Sequence, residues 1–336
     1  MPKATNLRSE AEEEEAFGYL IERASVAIGR LDAHVSASPV ASAWQLRAAW
    51  TGYAKGLQLH GVEIDEIDVF SWGSGICLPG RPRLHTVVDH FAGFAPWRAR
   101  LAAKGRHWAE DLPFNVKAAP PRNRQPDLVR AIELQLDYLT ADRSMAAWLT
   151  LPVLLHRMRL TESPLPCLVA GDRHLLFNPR DRDPAYRRIL RSLEASALAG
   201  RHALKAIEDA HVVSIAALRD EHRPTALRRL AALLILAPIQ SPESVKRHLK
   251  MTLSGAGKLL SRAAALGMAQ EVSGRRAWRT YATPDIAVAL GFVAPPKGRP
   301  PARPLAIEPD RPLASILADF DREMAAFDVQ FAKDRL

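Results

Sequence analysis

Between Pro224 and Tyr281 the chain is punctuated so closely that few folds remain open to it. Pro224 precedes an apolar run, Thr225–Leu236 (TALRRLAALLIL), and Pro238 follows it. Proline suits a helix entry but removes a backbone donor and crowds the preceding turn, so the run predicts one helix with fixed ends. Ser241-Pro242 is an N-cap followed by proline at the first helical position, with Glu243 in the first turn, where a carboxylate suits the helix dipole. This second helix is expected to reach Leu249, with Val245 and Leu249 inward and Lys246, Arg247 and Lys250 directed elsewhere. Thr252 caps a third helix, Leu253–Leu266. Its spacing turns Leu253, Ala256, Leu259, Leu260 and Ala263 inward and leaves Ser254, Gly255, Lys258, Ser261 and Arg262 outside. Gly267 supplies the left-handed stop. Met268–Val272 and Ala277–Ala282 then read as two strands turned at Ser273–Arg276, with Gly274 free to take positive φ and with Trp278 and Tyr281 in the hairpin core.

Helix, tight turn, helix and hairpin, in that order, are the plan of a winged helix-turn-helix, which lays its last helix in a DNA major groove. Charge singles out the same place. Residues 223–281 hold 11 Lys and Arg against 2 Asp and Glu, net +9, which equals the formal charge of the whole chain. Residues 1–222 hold 28 bases and 27 acids, and residues 282–336 hold 7 and 8. A solvated surface mixes signs, so this one-sidedness points to phosphate as the partner. Ser254, Lys258, Ser261 and Arg262 are therefore expected to read bases. Lys246, Arg247, Lys250, Arg275, Arg276 and Arg279 are expected to grip phosphates. Gly255 and Gly257 each cost a helix interior roughly 1 kcal/mol, which either close backbone approach to DNA or tight packing on the second helix would explain.

The remainder reads as helical. A chain of 336 residues, 48% hydrophobic and 25% charged, can bury two or three cores, and its many alanines and leucines with few aromatics favour helix. Residues 1–15, with Glu10 and Glu12–Glu15, read as a disordered acidic leader. Residues 16–111 are expected to form a helical N-terminal domain, with helices at Ala16–His34, Ala41–Leu59 and Leu84–Ala102. Residues 112–126 carry Pro113, Pro120, Pro121 and Pro126 and read as a linker. A middle helical domain at 127–222 has helices at Asp127–Leu139, Ser144–Arg159 and Pro184–His211, with Pro164–Phe177 as a small hairpin turned at Gly171-Asp172. The winged unit occupies 223–290 and a basic proline-rich linker 291–311. Within that linker Lys297-Gly298-Arg299-Pro300 matches the core of an AT-hook, which would slip Arg299 into a minor groove; a plain linker is the other reading. Residues 312–336 hold an amphipathic helix (Leu313, Ile316, Leu317, Phe320, Met324, Phe327) that needs an apolar partner, either the N-terminal domain or a second subunit of a homodimer.

The N-terminal part (Ala24–Ala33, ASVAIGRLDA, and Gly61–Asp68) and the C-terminal run Ala265–Arg279 (ALGMAQEVSGRRAWR) resemble an uncharacterised family of rhizobial and related α-proteobacterial proteins, often plasmid-borne. The resemblance spans about residues 17–290. It implies a helical region like the N-terminal part of Fic proteins, a domain of unknown function and a helix-turn-helix, hence a DNA-binding regulator of transcription. An AMP-transferase of the Fic type needs an HPFxxGNGR-like loop; the nearest run, Arg173–Arg180, lacks both glycines, so no enzyme activity is expected. Gly255–Lys258 lacks the glycine and the Ser/Thr of a phosphate loop, having Thr252 and Leu259 in their places. His85, Asp89 and His90 share a helix side without further ligands, His211 and Glu208 read as a surface pair, and Cys77 as a buried thiol. Cys77 and Cys167 fit no metal spacing, and neither a cofactor nor a metal is expected. With no apolar run of about 20 residues and no apolar N-terminal core, the chain is expected to be cytoplasmic and to make no membrane contact. The expectation is a mainly α protein that binds double-stranded DNA as a transcriptional regulator. The alternatives are a plasmid replication or maintenance factor on the same fold, or a degenerate Fic-like protein without transferase activity.

Overall fold

The computed structural model describes residues 3–76, 78, 88–103, 107–114, 126–176, 182–219, 221, 224–274 and 279–294. It is mainly helical, and it divides into two compact units at residues 207 and 208. No described helix is long and apolar enough to cross a membrane.

The first unit begins with α1 (Lys3–Ala37). This helix takes in most of the acidic stretch expected to be a disordered leader, because Glu and Ala are strong helix formers and Glu-rich sequence need not be loop. Ala24, Ile28, Leu31 and Val35 recur at helical spacing on α1 and are buried. α2 (Ala41–Leu59) follows with the expected bounds. It buries Trp44 and Tyr53, whose polar tips are both satisfied: Trp44 Nε1 donates to the Gly200 carbonyl at 2.9 Å, and the Tyr53 hydroxyl to the His90 carbonyl at 2.8 Å. Burial, with Asp89 nearby, pushes the Tyr53 hydroxyl up to about 12. α3 (Glu66–Ser74) starts where Asp68 accepts from the Asp65 amide at 3.0 Å and stops at Gly75 in the left-handed conformation, φ 65°. Trp72 stacks on Phe91 at 4.6 Å.

The helix expected over Leu84–Ala102 is shorter among the described residues: 88–93 are bends and turns, and α4 runs Phe94–Ala102. Asp89 Oδ1 accepts from the Phe91 amide there, and His90 gives its carbonyl to Tyr53, so the two do not lie along one helix side. His85, Cys77 and most of the 112–126 linker fall outside the described residues.

α5 (Asp127–Ala141) matches its pattern. The single helix expected at Ser144–Arg159 is two, α6 (Met145–Trp148) and α7 (Thr150–Arg157), meeting at Leu149. Its carbonyl accepts from Trp97 Nε1 at 2.8 Å, and its side chain lies against Gly56 of α2. The hairpin expected at Pro164–Phe177 is not formed by the described residues there, which make two 3-10 turns, Pro166–Leu168 and Arg173–Leu176. Gly171 serves close packing instead of a hairpin turn: a Cβ there would run into the Trp148 ring. Asp172 pairs with Arg188 and accepts from the His174 amide at 3.1 Å. α8 is one helix, Arg182–Arg219, tied to α1 by Arg23 and Glu194 at 2.6 Å. Cys167 is buried, and that burial pushes its thiol up to about 12.

In the second unit α9 (Thr225–Leu236) has the predicted bounds, and every residue from Ala231 to Gln240 is buried. β1 (Ile239–Gln240), α10 (Pro242–Leu249), α11 (Leu253–Ala265), β2 (Gln270–Glu271), β3 (Tyr281–Ala282) and α12 (Pro284–Ala289) follow. The three strands form one antiparallel sheet in the order β1-β3-β2. Backbone bonds lengthen both pairings: Thr283 donates to the Pro238 carbonyl at 2.9 Å and Val272 to the Thr280 carbonyl at 2.9 Å. One apolar core joins Leu230 and Leu234 of α9, Val245 and Leu249 of α10, Ala256, Leu260 and Ala263 of α11, and Tyr281 of β3. His211, expected at the surface, is buried, and desolvation lowers its pKa.

Candidate nucleic-acid interface

Three local devices fix the two helices that carry the charge. Ser241 caps α10 by accepting from the Ser244 amide at 3.2 Å, and Thr252 caps α11 by accepting from the Gly255 amide at 3.1 Å. Buried Gln240 donates to the Ala237 carbonyl at 2.9 Å and accepts from the Ser244 hydroxyl at 2.7 Å, and His248 Nδ1 lies 2.8 Å from the Ser244 carbonyl. This polar chain fastens α10 to the strand before it. The turn between the helices is made at Lys250, which sits in the left-handed region at φ 54°. Lys250 and Met251 both donate to the Lys246 carbonyl and close the helix end.

A Cβ in that region costs about 1 kcal/mol, a cost that glycine escapes. Lys250→Gly is therefore expected to raise the unfolding free energy of the segment by about 0.5–1 kcal/mol. The check is the urea midpoint followed by circular dichroism; an unchanged or lower midpoint would show that the turn carries no such strain.

Ser254, Lys258, Ser261 and Arg262 are all exposed, along the side of α11 opposite Ala256, Leu259, Leu260 and Ala263. Lys246 and Arg247 are exposed on α10, and Lys250 at its end. Arg247, Lys250 and Lys258 form no ion pair with a described residue. Lys246 pairs with Glu243 at 3.0 Å, but both side chains are about half exposed, at 45% and 48%. Such an i,i+3 pair contributes only a few tenths of a kcal/mol and yields to a phosphate. Arg262 differs: its guanidinium is engaged by Glu221, whose side chain is only 15% exposed. Arg279 lies 3.7 Å from Glu271 across the β2–β3 pairing, and Tyr281 and Glu271 beside it hold its guanidinium above the ordinary pKa. The Ser261 hydroxyl is 3.4 Å from the Tyr281 hydroxyl, which sets α11 against β3. Arg275, Arg276, Trp278, Arg299 and the helix expected over residues 312–336 lie outside the described residues.

Two features of the face escape the sequence pattern. Leu253, expected inward, is 50% exposed, because it is the first residue of α11 and no preceding turn covers it. The two glycines also part company. A Cβ at Gly255 would lie 3.0 Å from the capping hydroxyl of Thr252, whereas at Gly257 it would meet nothing within 4 Å. Neither glycine is there to let α10 pack closely. Arg228 and Arg229 of α9 are exposed as well, two further cations within the basic segment that periodicity did not single out.

Among the described residues no three His, Cys, Asp or Glu side chains converge as a metal site. No family model matches the chain, and no curated protein matches it.

Proposed function

We propose that residues 223–290 form a winged helix-turn-helix that binds double-stranded DNA, and that the protein is a cytoplasmic, sequence-specific regulator of transcription. One coincidence carries the reading. The segment that holds the chain's entire net charge is also the one whose solvent face is a helix lined with Ser254, Lys258 and Ser261. The order helix, strand, helix, helix, strand, strand, with the last strand central in the sheet, supports it. So do Arg247, Lys250 and Lys258, which form no ion pair with a described residue. In this reading Lys258 donates to guanine O6 and N7, while Ser254 and Ser261 take either donor or acceptor edges. Lys246, Arg247, Lys250 and the hairpin arginines Arg275, Arg276 and Arg279 hold phosphates and set the register. Arg262 reads bases or, held by Glu221, positions the helix.

The test is selection of bound sequences from random duplex DNA with the full-length protein. One enriched motif is the expected result, and its layout separates the roles: a promoter-linked dyad for a regulator, iterated direct repeats for a plasmid maintenance factor. Retention of all sequences alike, or of none, would overturn the reading.

A further inference from the structure

Leu253 and Gly257 stand four residues apart, hence on neighbouring turns of one edge of α11. The helix start explains why Leu253 is uncovered, but the described packing gives no reason for a leucine there or for a glycine at 257. Among the described residues Leu253 is the one large apolar side chain of segment 223–290 that is exposed. Gly257 weakens the helix by about 1 kcal/mol relative to alanine, with no positive φ and no neighbour that a methyl group would touch. An apolar side chain and an absent one, side by side next to Lys258, suit an external surface that is apolar at one point and comes very close at the next. In a major groove that point is the C5-methyl of thymine, the one apolar group on a base edge. The N-terminal residues of such a helix are the ones that reach base edges.

Resting on the DNA-binding reading, we propose that the Leu253–Gly257 edge of α11 selects thymine. Leu253 covers the C5-methyl, and the missing side chain at Gly257 lets the helix backbone approach the base pair. The protein's site therefore contains one thymine read by its methyl group and not by its hydrogen-bonding edge.

The experiment starts from the motif enriched with full-length protein. Each thymine in it is replaced in turn by deoxyuridine, which keeps the pairing and removes only the methyl, and affinities are measured by fluorescence anisotropy. For the wild type one replacement should weaken binding about three- to fivefold, the scale of one methyl group returned to water. For Leu253→Ala the same replacement should cost nothing further, while Leu253→Met, which keeps an apolar side chain, should stay sensitive. Gly257→Ala should melt no lower than the wild type and yet bind at least tenfold more weakly. Indifference of the wild type to every deoxyuridine, equal sensitivity in Leu253→Ala, or wild-type affinity in Gly257→Ala would each overturn the proposal. If no motif is enriched, the DNA-binding reading fails and this inference falls with it; a motif without methyl sensitivity overturns the inference alone.

Discussion

Raising the salt from about 50 to about 200 mM is expected to weaken binding of the full-length protein to duplex DNA roughly a thousandfold. Each phosphate that meets a lysine or arginine releases most of one condensed counterion, so affinity falls as a power of salt set by the number of contacts. Lys246 and Arg247 lie exposed on α10, Lys250 at its end and Arg279 beside β3; with Arg275 and Arg276 these make about six contacts. The effect exceeds that of any single base contact, which contributes roughly a factor of ten to a hundred. Reversing Lys246 and Arg247 together to glutamate removes two phosphate-holding cations and adds two anions on α10. Affinity at low salt should fall on the order of a hundredfold or more, and the slope should become shallower by about two. Fluorescence anisotropy across a salt series checks both. A binding constant that ignores salt, or a double reversal that binds as the wild type does, would leave the basic face as a protein-docking or merely solvated surface.

Gly52→Ala is expected to destabilise the first unit by about 3 kcal/mol or more. A Cβ there would overlap the Pro166 carbonyl oxygen, lie 2.9 Å from its carbonyl carbon and sit 3.3 Å from the Trp97 ring. Backbone, unlike the end of a flexible side chain, cannot swing aside, so α2 and the turn at Pro166–Leu168 would have to part. Much of the unit's apolar burial lies along α2, with Trp44, Ala48, Tyr53 and Leu57 all buried. Gly257→Ala is the natural control, since it adds the same methyl where nothing meets it and improves helix propensity. Urea unfolding of the two variants side by side should move the midpoints in opposite directions. A Gly52→Ala protein within 1 kcal/mol of the wild type would show that α2 does not pack on that turn.

Chemical punctuation made parts of this fold legible. The bounds of α9 and α10 follow from Pro224, Pro238, Ser241 and Pro242, and the end of α11 from Gly267, because each of these residues has a backbone reason to stand where it does. β1 was invisible for the opposite reason. Ile239 and Gln240 are too short a run to show a period, and only pairing with Tyr281 and Ala282, forty residues on, makes them a strand. Gly171 misled because a glycine that makes room for Trp148 looks in sequence like one that turns a hairpin. His211 misled because one polar residue on a long helix reads as surface until something packs on it. The outward face of α11 was legible at Ser254, Lys258, Ser261 and Arg262, but not at Gly255, which is half-buried, nor at Leu253, where periodicity assumes a preceding turn that the helix start lacks. The pairing of Arg262 with Glu221 joins residues forty-one apart and left no local trace.

The central strand of the small sheet is also the last of the three in the chain. β1 and β2 do not pair with each other, so during synthesis neither has a partner until Tyr281 and Ala282 are made. Helices α9, α10 and α11 all precede Tyr281 in the chain, but the sheet that braces them cannot close before that residue is in place. A nascent chain stalled ahead of Tyr281 would thus carry every lysine and arginine of the basic segment without the sheet that orients them.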